Sequence, residues 1–316
     1  GIAWDHINVF PTFDNYVEQF RIFANQITRG GILVYNEEDE AVKAVAEETE
    51  NPIRKIAYQT PSYTVENGTT LLETPEGPMP IEVFGAHNLS NLAGAKWICQ
   101  CMGVDEAEFY EAIASFKGAS KRLEKIAESA NKVAYKDFAH SPSKVSATTK
   151  AVKAQYPDRK LIACLELHTY SSLNAEFLKE YQNALDAADV AVVFYSPDAV
   201  KIKQLEEVTY EQIAQAFKRN DLIIYTNPEE FKNFLFNRDL GNSALLLMSS
   251  GNYGGLNFVD VKADPASVRM KRTDWVRPRS SVSVSHCFRA IRMEVVLSVG
   301  RPIQPVSLPG VVTMNK

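Results

Sequence analysis

The feature that most constrains the fold is a regular alternation of strand-like and helix-like segments after Gly118. Five short apolar runs are separated by four longer segments whose apolar residues recur at helical spacing. This alternation is typical of a doubly wound, mostly parallel α/β sheet with right-handed crossovers. We predict strands over residues 131–137, 160–167, 190–195, 221–225 and 243–249, and helices over residues 141–155, 175–188, 209–218 and 228–237.

The residues before this alternation follow a less regular pattern. Ala- and Leu-rich segments predict helices, whereas three short runs separated by Gly and Pro are typical of a meander at a sheet edge. We therefore expect two domains, over residues 1–116 and 117–264. In the first domain the predicted strands are 31–35, 55–59, 69–73 and 80–84, and the predicted helices are 37–48, 88–102 and 104–116.

Charge sets a third segment apart from those two domains. Residues 269–316 carry nine Lys and Arg against two acidic residues, although the whole chain has a net charge of −5. A basic tail often binds nucleic acid or membranes, but this one lacks a series of aromatic residues for base stacking. We assign residues 265–316 no function and expect neither a nucleic acid nor a membrane partner.

The composition otherwise indicates a cytoplasmic protein. No apolar run approaches the roughly 18 residues that a membrane helix needs, and the first residues do not form a secretory signal. The four cysteines are sparse and have no zinc or redox spacing, so we expect reduced thiols. The chain starts with Gly1 rather than Met, and we expect it to be cut from a longer protein.

Two asparagines open the predicted helix at 88–102. Asn88 and Asn91 are three residues apart, so their amides lie on one helix face. A carboxamide offers a donor and an acceptor, which is what the edge of a purine requires. Capping of the helix is the alternative use of such residues.

Further polar residues lie where predicted strands end, which is where ligands gather in a parallel sheet. Asp137 can accept hydrogen bonds from a ribose diol, and His140 lies at a helix N-terminus, where anions bind. Arg122, shortly after Gly118, can donate two hydrogen bonds from its planar guanidinium to phosphate oxygens. The alternatives are capping for the first two residues and a solvated surface charge for Arg122.

The ends of two other strands add His168, Ser250 and Asn252 to the candidates. The glycine-rich segment 250–255 is by itself weak evidence for phosphate binding, and the chain has no G-x-x-x-x-G-K-[ST] motif. The metalloprotease motif H-E-x-x-H, the hydrolase motif G-x-S-x-G and the dinucleotide motif G-x-G-x-x-G do not occur either.

The order of these clusters carries a family resemblance. An Asp-His pair is followed by H-N-x-x-N, by an Arg after a Gly, and by D-F-A-H-x-P. This ordered set resembles the ATP-dependent Mur ligases of peptidoglycan synthesis, over roughly residues 1–262. The matching positions are Asp5, His6, His87, Asn88, Asn91, Arg122 and 137–142.

The resemblance implies ATP and Mg²⁺ as cofactors and assigns a role to each matching residue. His6 corresponds to a histidine that helps to hold magnesium. Asn88 and Asn91 correspond to residues that face the adenine base. Arg122 falls at a position that contacts the γ-phosphate, and Asp137 at one that meets the ribose.

The D-F-A-H-S-P segment narrows the resemblance to ligases that act directly on UDP-N-acetylmuramate. Their pattern is D-[FY]-[AG]-H-H-P, so His140 is retained, as a candidate catalytic residue beside Arg122, and Ser141 replaces the second His. Segments 165–172 and 248–255 resemble the murein peptide ligases, which attach recycled L-alanyl-γ-D-glutamyl-meso-diaminopimelate. The branch that adds L-alanine is the alternative. His168, Ser250 and Asn252 are expected at the amino-substrate end.

The implied reaction is amide synthesis in two steps. ATP phosphorylates the muramate carboxylate, and the amino group of the acceptor attacks the acyl phosphate. Because the family's phosphate loop and a metal-binding Glu do not occur in these 316 residues, we expect this chain alone not to complete ligation. A non-catalytic binding module over residues 116–262 is a second hypothesis. A dehydrogenase is a weaker one, because the dinucleotide fingerprint is missing.

Overall fold

The computed structural model describes residues 1–236 and 241–256. The basic tail, residues 265–316, lies outside this part of the chain. The α-helices are α1 (Phe13–Gln26), α2 (Glu40–Glu48), α3 (Ala86–Cys101), α4 (Glu106–Ala114), α5 (Pro142–Gln155), α6 (Pro197–Ile202), α7 (Tyr210–Phe217) and α8 (Pro228–Phe236). The strands are β1 (Ile32–Asn36), β2 (Arg54–Tyr58), β3 (Tyr63–Glu66), β4 (Thr69–Thr74), β5 (Gly77–Ile81), β6 (Glu124–Glu128), β7 (Lys132–Asp137), β8 (Lys160–Leu167), β9 (Val190–Tyr195), β10 (Ile223–Tyr225) and β11 (Ser243–Met248).

The predicted α/β sheet is confirmed. Six strands are ordered β10-β9-β8-β11-β7-β6, and all neighbours are parallel except the edge strand β6, which pairs antiparallel with β7. Alternate residues of β8 enter different cores: Leu161, Ala163 and Leu165 pack on one face, and Ile162 and Cys164 on the other. A sheet covered on both faces explains why its central strands are almost wholly apolar.

The segment predicted as a helix over 175–188 is not one. It contains one short 3₁₀ helix, Phe177–Tyr181, followed by turns, and a second 3₁₀ helix, Ser171–Leu173, precedes it. The Asn174 side chain accepts backbone hydrogen bonds at the start of Phe177–Tyr181, and the C-cap Gln182, with ψ 126°, ends this helix. The buried Phe177, Leu178 and Tyr181 nevertheless fill the core, so apolar spacing predicted the burial but not the backbone.

The predicted meander before residue 117 is partly wrong. The strand near 55–59, observed as β2, pairs in parallel with β1 rather than with its neighbours along the chain. The three-stranded antiparallel sheet is β3-β4-β5, and its first strand was not predicted. The missed strand is short and half exposed, so it carries little apolar periodicity. Helix α1 and edge strand β6 were also not predicted.

The two parts of the chain contact each other through α5. The Gln155 amide donates to the Gly68 carbonyl at 2.7 Å, and its oxygen accepts from the Thr70 hydroxyl at 3.0 Å. The buried Phe84 ring lies edge-on to Tyr135 of β7. Phe84 directly precedes Gly85, the N-cap of α3, so its contact with Tyr135 places the start of α3 beside β7. Within the described residues, no helix combines the length and apolar character needed to cross a membrane.

Candidate functional site

The candidate residues gather where three adjacent strands end. β11 lies between β7 and β8, with Met248 in register with both Asp137 and Leu165. The amide of Ser249 continues the ladder by donating to the Asp137 carbonyl at 3.0 Å. The segments after these strands therefore meet at one edge, which is the usual place for a ligand in this class of sheet.

The first group of residues joins the start of α3 to this edge. Gly85 is the N-cap of α3 at φ 88°, and a Cβ there would lie 2.5 Å from the Cβ of Ala151. The half-buried Asn88 does not cap the helix. Its Nδ2 donates to the Phe84 carbonyl at 2.9 Å, and its Oδ1 accepts no hydrogen bond from the described residues. Asn91 is exposed one turn further along.

The loops that carry Arg122 and Asp137 are bonded to each other. The buried Asp137 carboxylate accepts from the amides of Leu123 and Ala139, both at 2.6 Å. The Arg122 guanidinium lies 5.5 Å from the centre of the Phe138 ring. Helix capping was the alternative noted for Asp137, but the N-cap of α5 is Ser141 and the Asp137 carboxylate accepts from loop amides instead. Its ribose role stays a prediction. Arg122 is half-buried rather than a fully solvated charge.

His87 shows that these segments converge. Burial lowers the pKa of its imidazole, the charge of Asp137 opposes that effect, and the charge of Arg122 adds to it. Residues far apart in sequence therefore lie within electrostatic reach of one another. We call His87, Asn88, Arg122 and Asp137 the motif group.

A second group surrounds the buried Asp5. Its Oδ2 lies 3.8 Å from His6 Nε2, 3.7 Å from His140 Nε2 and 3.5 Å from Lys144 Nζ. His6 adopts φ 57°, with its side chain 41% exposed. The ammonium of Lys144 offsets the carboxylate that would otherwise attract a cation. In the described ranges, no three His, Cys, Asp or Glu side chains are grouped to hold a metal ion. These residues do not fit a resident metal centre by themselves, and His6 as a magnesium ligand stays a prediction.

Burial and a contact with the Phe138 carbonyl fix the side chain of His140 in place. Only 7% of the residue is exposed, and its Nδ1 lies 2.8 Å from the Phe138 carbonyl oxygen. Burial lowers the pKa of its imidazole. Its carbonyl accepts the Tyr181 hydroxyl. The following Ser141 is the N-cap of α5, but its side chain makes no capping bond. His140 as arranged positions the loop after β7, and its catalytic role stays a prediction.

The third group centres on Glu166, which is 2% exposed. Its Oε2 accepts the Ser249 hydroxyl and the Tyr253 amide, the latter at 2.8 Å. Its Oε1 lies 3.7 Å from His168 Nδ1. A Cβ on Gly251 would lie 2.9 Å from Oε2 and 3.0 Å from His168 Cγ, so only Gly fits there. We call these five residues together with Ser250 the Glu166 group.

Tyr253 anchors the loop after β11 in the sheet. Its hydroxyl lies 2.8 Å from the carbonyls of both Cys164 and Met248. Its ring stacks on Phe231 with centroids 4.9 Å apart. Complete burial raises the pKa of its hydroxyl well above the ordinary value. The loop is therefore fixed by a buried tyrosine.

The three residues predicted for the amino-substrate end have different surroundings. The His168 side chain is 41% exposed at the rim of the group. The Ser250 Oγ is buried and has no hydrogen-bond partner among the described residues. Asn252 is exposed, and its Oδ1 accepts the Gly255 amide at 3.1 Å, which closes a turn. A substrate role for all three stays a prediction, and for Asn252 the turn is a sufficient explanation.

Sequence reasoning missed Glu166, Tyr253 and Lys144 as members of these groups. A glutamate inside the apolar run of β8 was the available signal, because an unpaired carboxylate is rarely buried in a strand. The predicted candidates, including the buried Asp137 and His140, belong to recognisable motifs or stand at strand ends. Glu166 lies inside a strand, and its hydrogen-bond partners come from a distant segment.

The fold is that of a doubly wound α/β protein, and the candidate residues lie at the carboxyl edge of its sheet. The sequence matches the Mur ligase middle domain over residues 1–99. It also matches the family described as Mur ligase, glutamate ligase domain, over residues 121–251. The chain therefore belongs to the Mur ligase family, with parts of its middle and C-terminal domains.

Curated relatives agree with this assignment. The chain is similar to a UDP-N-acetylmuramate–L-alanine ligase of Sulfurihydrogenibium sp., with 28% identity over 80% of this chain and 57% of the relative. It is also similar to one of Gloeothece citriformis, with 29% identity over 72% of this chain and 48% of the relative. The chain thus spans about half the length of the curated relatives it matches.

Solved structures share the fold. The UDP-N-acetylmuramate–alanine ligase of Thermotoga maritima matches with a TM-score of 0.53 and 16% identity, over 81% of this chain and 55% of that one. A murein peptide ligase of Psychrobacter arcticus matches with a TM-score of 0.52 and 16% identity, over 79% and 54%. A folylpolyglutamate synthase of Mycobacterium tuberculosis, solved with ADP, has a TM-score of 0.54 and 15% identity, over 74% and 56%.

Proposed function

We propose that the chain is part of an ATP-dependent amide ligase that acts on UDP-N-acetylmuramate. The observation that carries the proposal is the convergence of the motif group beside the end of β7, where the Leu123 amide bonds to Asp137, Arg122 lies over Phe138, and His87 is within electrostatic reach of both charges. The names of its curated relatives support the muramate substrate. Because the chain covers about half of those relatives, the activity is a proposal about the longer protein.

The motif group suits a nucleotide. Asn88 presents an Oδ1 without a partner in the described residues, and Asn91 is exposed on the same helix. Arg122 supplies a cation for phosphate oxygens, with its guanidinium held against Phe138. Asp137 binds the amides of both adjoining loops and so fixes their positions, besides its proposed ribose contact. Bound ATP would supply the phosphoryl group that activates a carboxylate for amide formation.

Two acceptors are candidates for the amino-substrate end. The curated relatives reported above add L-alanine, which supports that amino acid. The sequences after β8 and β11 favour the tripeptide L-alanyl-γ-D-glutamyl-meso-diaminopimelate. Both carry a free amino group, and comparison of the two acceptors in an assay of the longer protein separates them.

Saturation-transfer NMR with ATP tests the nucleotide site on the 316-residue chain. We expect transfer to the adenine protons in the wild type, and at least threefold less in Asn88→Ala. Asn220→Ala, at an exposed asparagine remote in sequence from the motif group, is the matched control and is expected to leave the transfer unchanged. Equal transfer in Asn88→Ala and the control would contradict the proposed adenine contact.

A non-catalytic binding module is the second candidate. It is favoured by one observation: both oxygens of Asp137 already accept backbone hydrogen bonds. The module hypothesis predicts no ATP signal in the wild type, together with binding of an amine at the Glu166 group. The same NMR experiment therefore distinguishes the two functions.

A further inference from the structure

We propose that Glu166 is the residue that receives the ammonium group of the acceptor, through its Oε1, with Ser250 Oγ as a second contact. This inference deepens the proposed function and rests on it, because an amide ligase needs an amino acceptor. Some polar atoms of the Glu166 group already have hydrogen-bond partners among the described residues, and others do not.

The two oxygens of Glu166 have different surroundings. Oε2 accepts the Ser249 hydroxyl and the Tyr253 amide and lies against Gly251. Oε1 accepts no hydrogen bond from the described residues, and His168 Nδ1, at 3.7 Å, is too far to donate one. Oε2 thus has two hydrogen-bond partners within the protein, whereas Oε1 is able to accept hydrogen bonds from a ligand.

A buried carboxylate of this kind attracts a cation. Its desolvation is costly unless charge and hydrogen bonds offset it. The one basic side chain that the structure pairs with it is His168, and no lysine or arginine of the described residues forms an ion pair with it. An alkylammonium supplies both a positive charge and three donors.

Ser250 supports the same ligand. Its Oγ is buried without a hydrogen-bond partner in the described part of the chain, which is a cost unless a ligand satisfies it. Ser250 follows Ser249, whose hydroxyl donates to Glu166 Oε2 and accepts from the Gly251 amide at 2.7 Å. The space that a side chain on Gly251 would fill is bounded by Glu166 and His168.

The test uses the 316-residue chain and titrations followed by NMR. The probes are L-alanine, the tripeptide L-alanyl-γ-D-glutamyl-meso-diaminopimelate, and N-acetyl-L-alanine, which lacks the ammonium group. We expect L-alanine or the tripeptide to bind at least tenfold more tightly than N-acetyl-L-alanine. Which of the two binds more tightly identifies the acceptor.

Glu166→Gln is the informative variant, because the amide oxygen can keep the bonds to Ser249 and Tyr253 while the charge is lost. We expect it to weaken binding of the ammonium probe at least tenfold, and Ser250→Ala to weaken it about threefold. Glu180→Gln, an exposed carboxylate, is the charge-matched control. Circular dichroism of Glu166→Gln is expected to match the wild type, and Glu166→Asp, which keeps the charge, to recover part of the binding.

Two results would overturn the proposal. One is equal affinity of Glu166→Gln and wild type for the ammonium probe. The other is absence of binding of both amines by the wild type. In either case ATP binding that depends on Asn88 would leave the proposed ligase function standing, whereas loss of ATP binding alone would count against that function and not against the Glu166 site.

Discussion

The motif group and the Glu166 group lie at the same sheet edge but are built differently. The motif group is half exposed and combines α3 with two loops, so its side chains are held mainly by backbone bonds around Asp137. The Glu166 group is buried, and one tyrosine and one glycine leave its loop little room to move. The first resembles a surface that closes around a large ligand, and the second a preformed pocket for a small group.

This difference suggests a division of roles. A nucleotide can be bound by residues from two parts of the chain that approach each other, whereas an amino group must be placed accurately relative to the carboxyl it attacks. Substitutions of Tyr253 and Gly251, which fix the loop of the Glu166 group, should therefore affect stability more than substitutions in the motif group do.

The largest expected effect is at Tyr253. Tyr253→Ala removes a fully buried ring and its hydrogen bonds, and we expect a loss of about 3–5 kcal/mol in the free energy of unfolding. Tyr253→Phe removes only the hydroxyl and should cost about 1 kcal/mol. Asn88→Ala should cost less than either variant. Urea unfolding measures all three, and a larger loss in Asn88→Ala than in Tyr253→Ala would reverse the comparison.

The next-largest effect on stability distinguishes two adjacent residues, Ser250 and Gly251, in the loop after β11. Gly251→Ala places a methyl against Glu166 and His168, so we expect about 1–3 kcal/mol of destabilisation from overpacking. Ser250→Ala removes a buried hydroxyl without a partner, and its stability should be unchanged or slightly higher. Thermal unfolding of the two variants is the measurement. Equal stability of both would show that the loop is not tightly packed.

A pH dependence tests the convergence of the motif group. Because burial lowers the pKa of His87 in the folded state, the unfolded state takes up its proton first as the pH falls. Stability should therefore be fully present above an unfolded pKa of about 6.5 and decline below it. In an NMR titration, Arg122→Gln should raise the pKa of His87 and Asp137→Asn should lower it. If neither variant moves that pKa, the three residues do not converge.

The smallest expected effect concerns the N-terminal segment. Lys144 is half exposed beside the buried Asp5, so Lys144→Met should cost only about 0.5–1 kcal/mol. Lys201→Met removes a fully exposed pair with Asp198 and should cost nothing measurable. Chemical unfolding of both lysine variants checks the difference. Identical stabilities would mean that Lys144 does not hold Asp5.

The sequence predicted the doubly wound sheet because β8, β9 and β11 are continuous apolar runs that can be buried in few other ways. It failed where the backbone is set by individual side-chain bonds or by pairing between separate segments. The segment 175–188 has helical spacing, yet the Asn174 side chain accepts from the amides of Glu176 and Phe177, and turns follow Tyr181. Parallel pairing of β1 with β2 is also not encoded locally.

The sequence also predicted only part of the candidate site. Motif residues such as Asn88 and Arg122 were identifiable from their order in the chain. The role of Asp137 in bonding two loops depends on Leu123, and no pattern within either segment indicates it. Glu166 shows the limit most clearly, because its partners lie more than 80 residues away.

Photolabelling with 2-azido-ATP tests the central claim most directly, namely that the motif group forms a nucleotide site. After irradiation and proteolysis, mass spectrometry of the 316-residue chain should locate the label in peptides that contain residues 84–95 or 118–140, and excess ATP should suppress it. A label confined to other segments, or one that excess ATP does not reduce, would contradict the account.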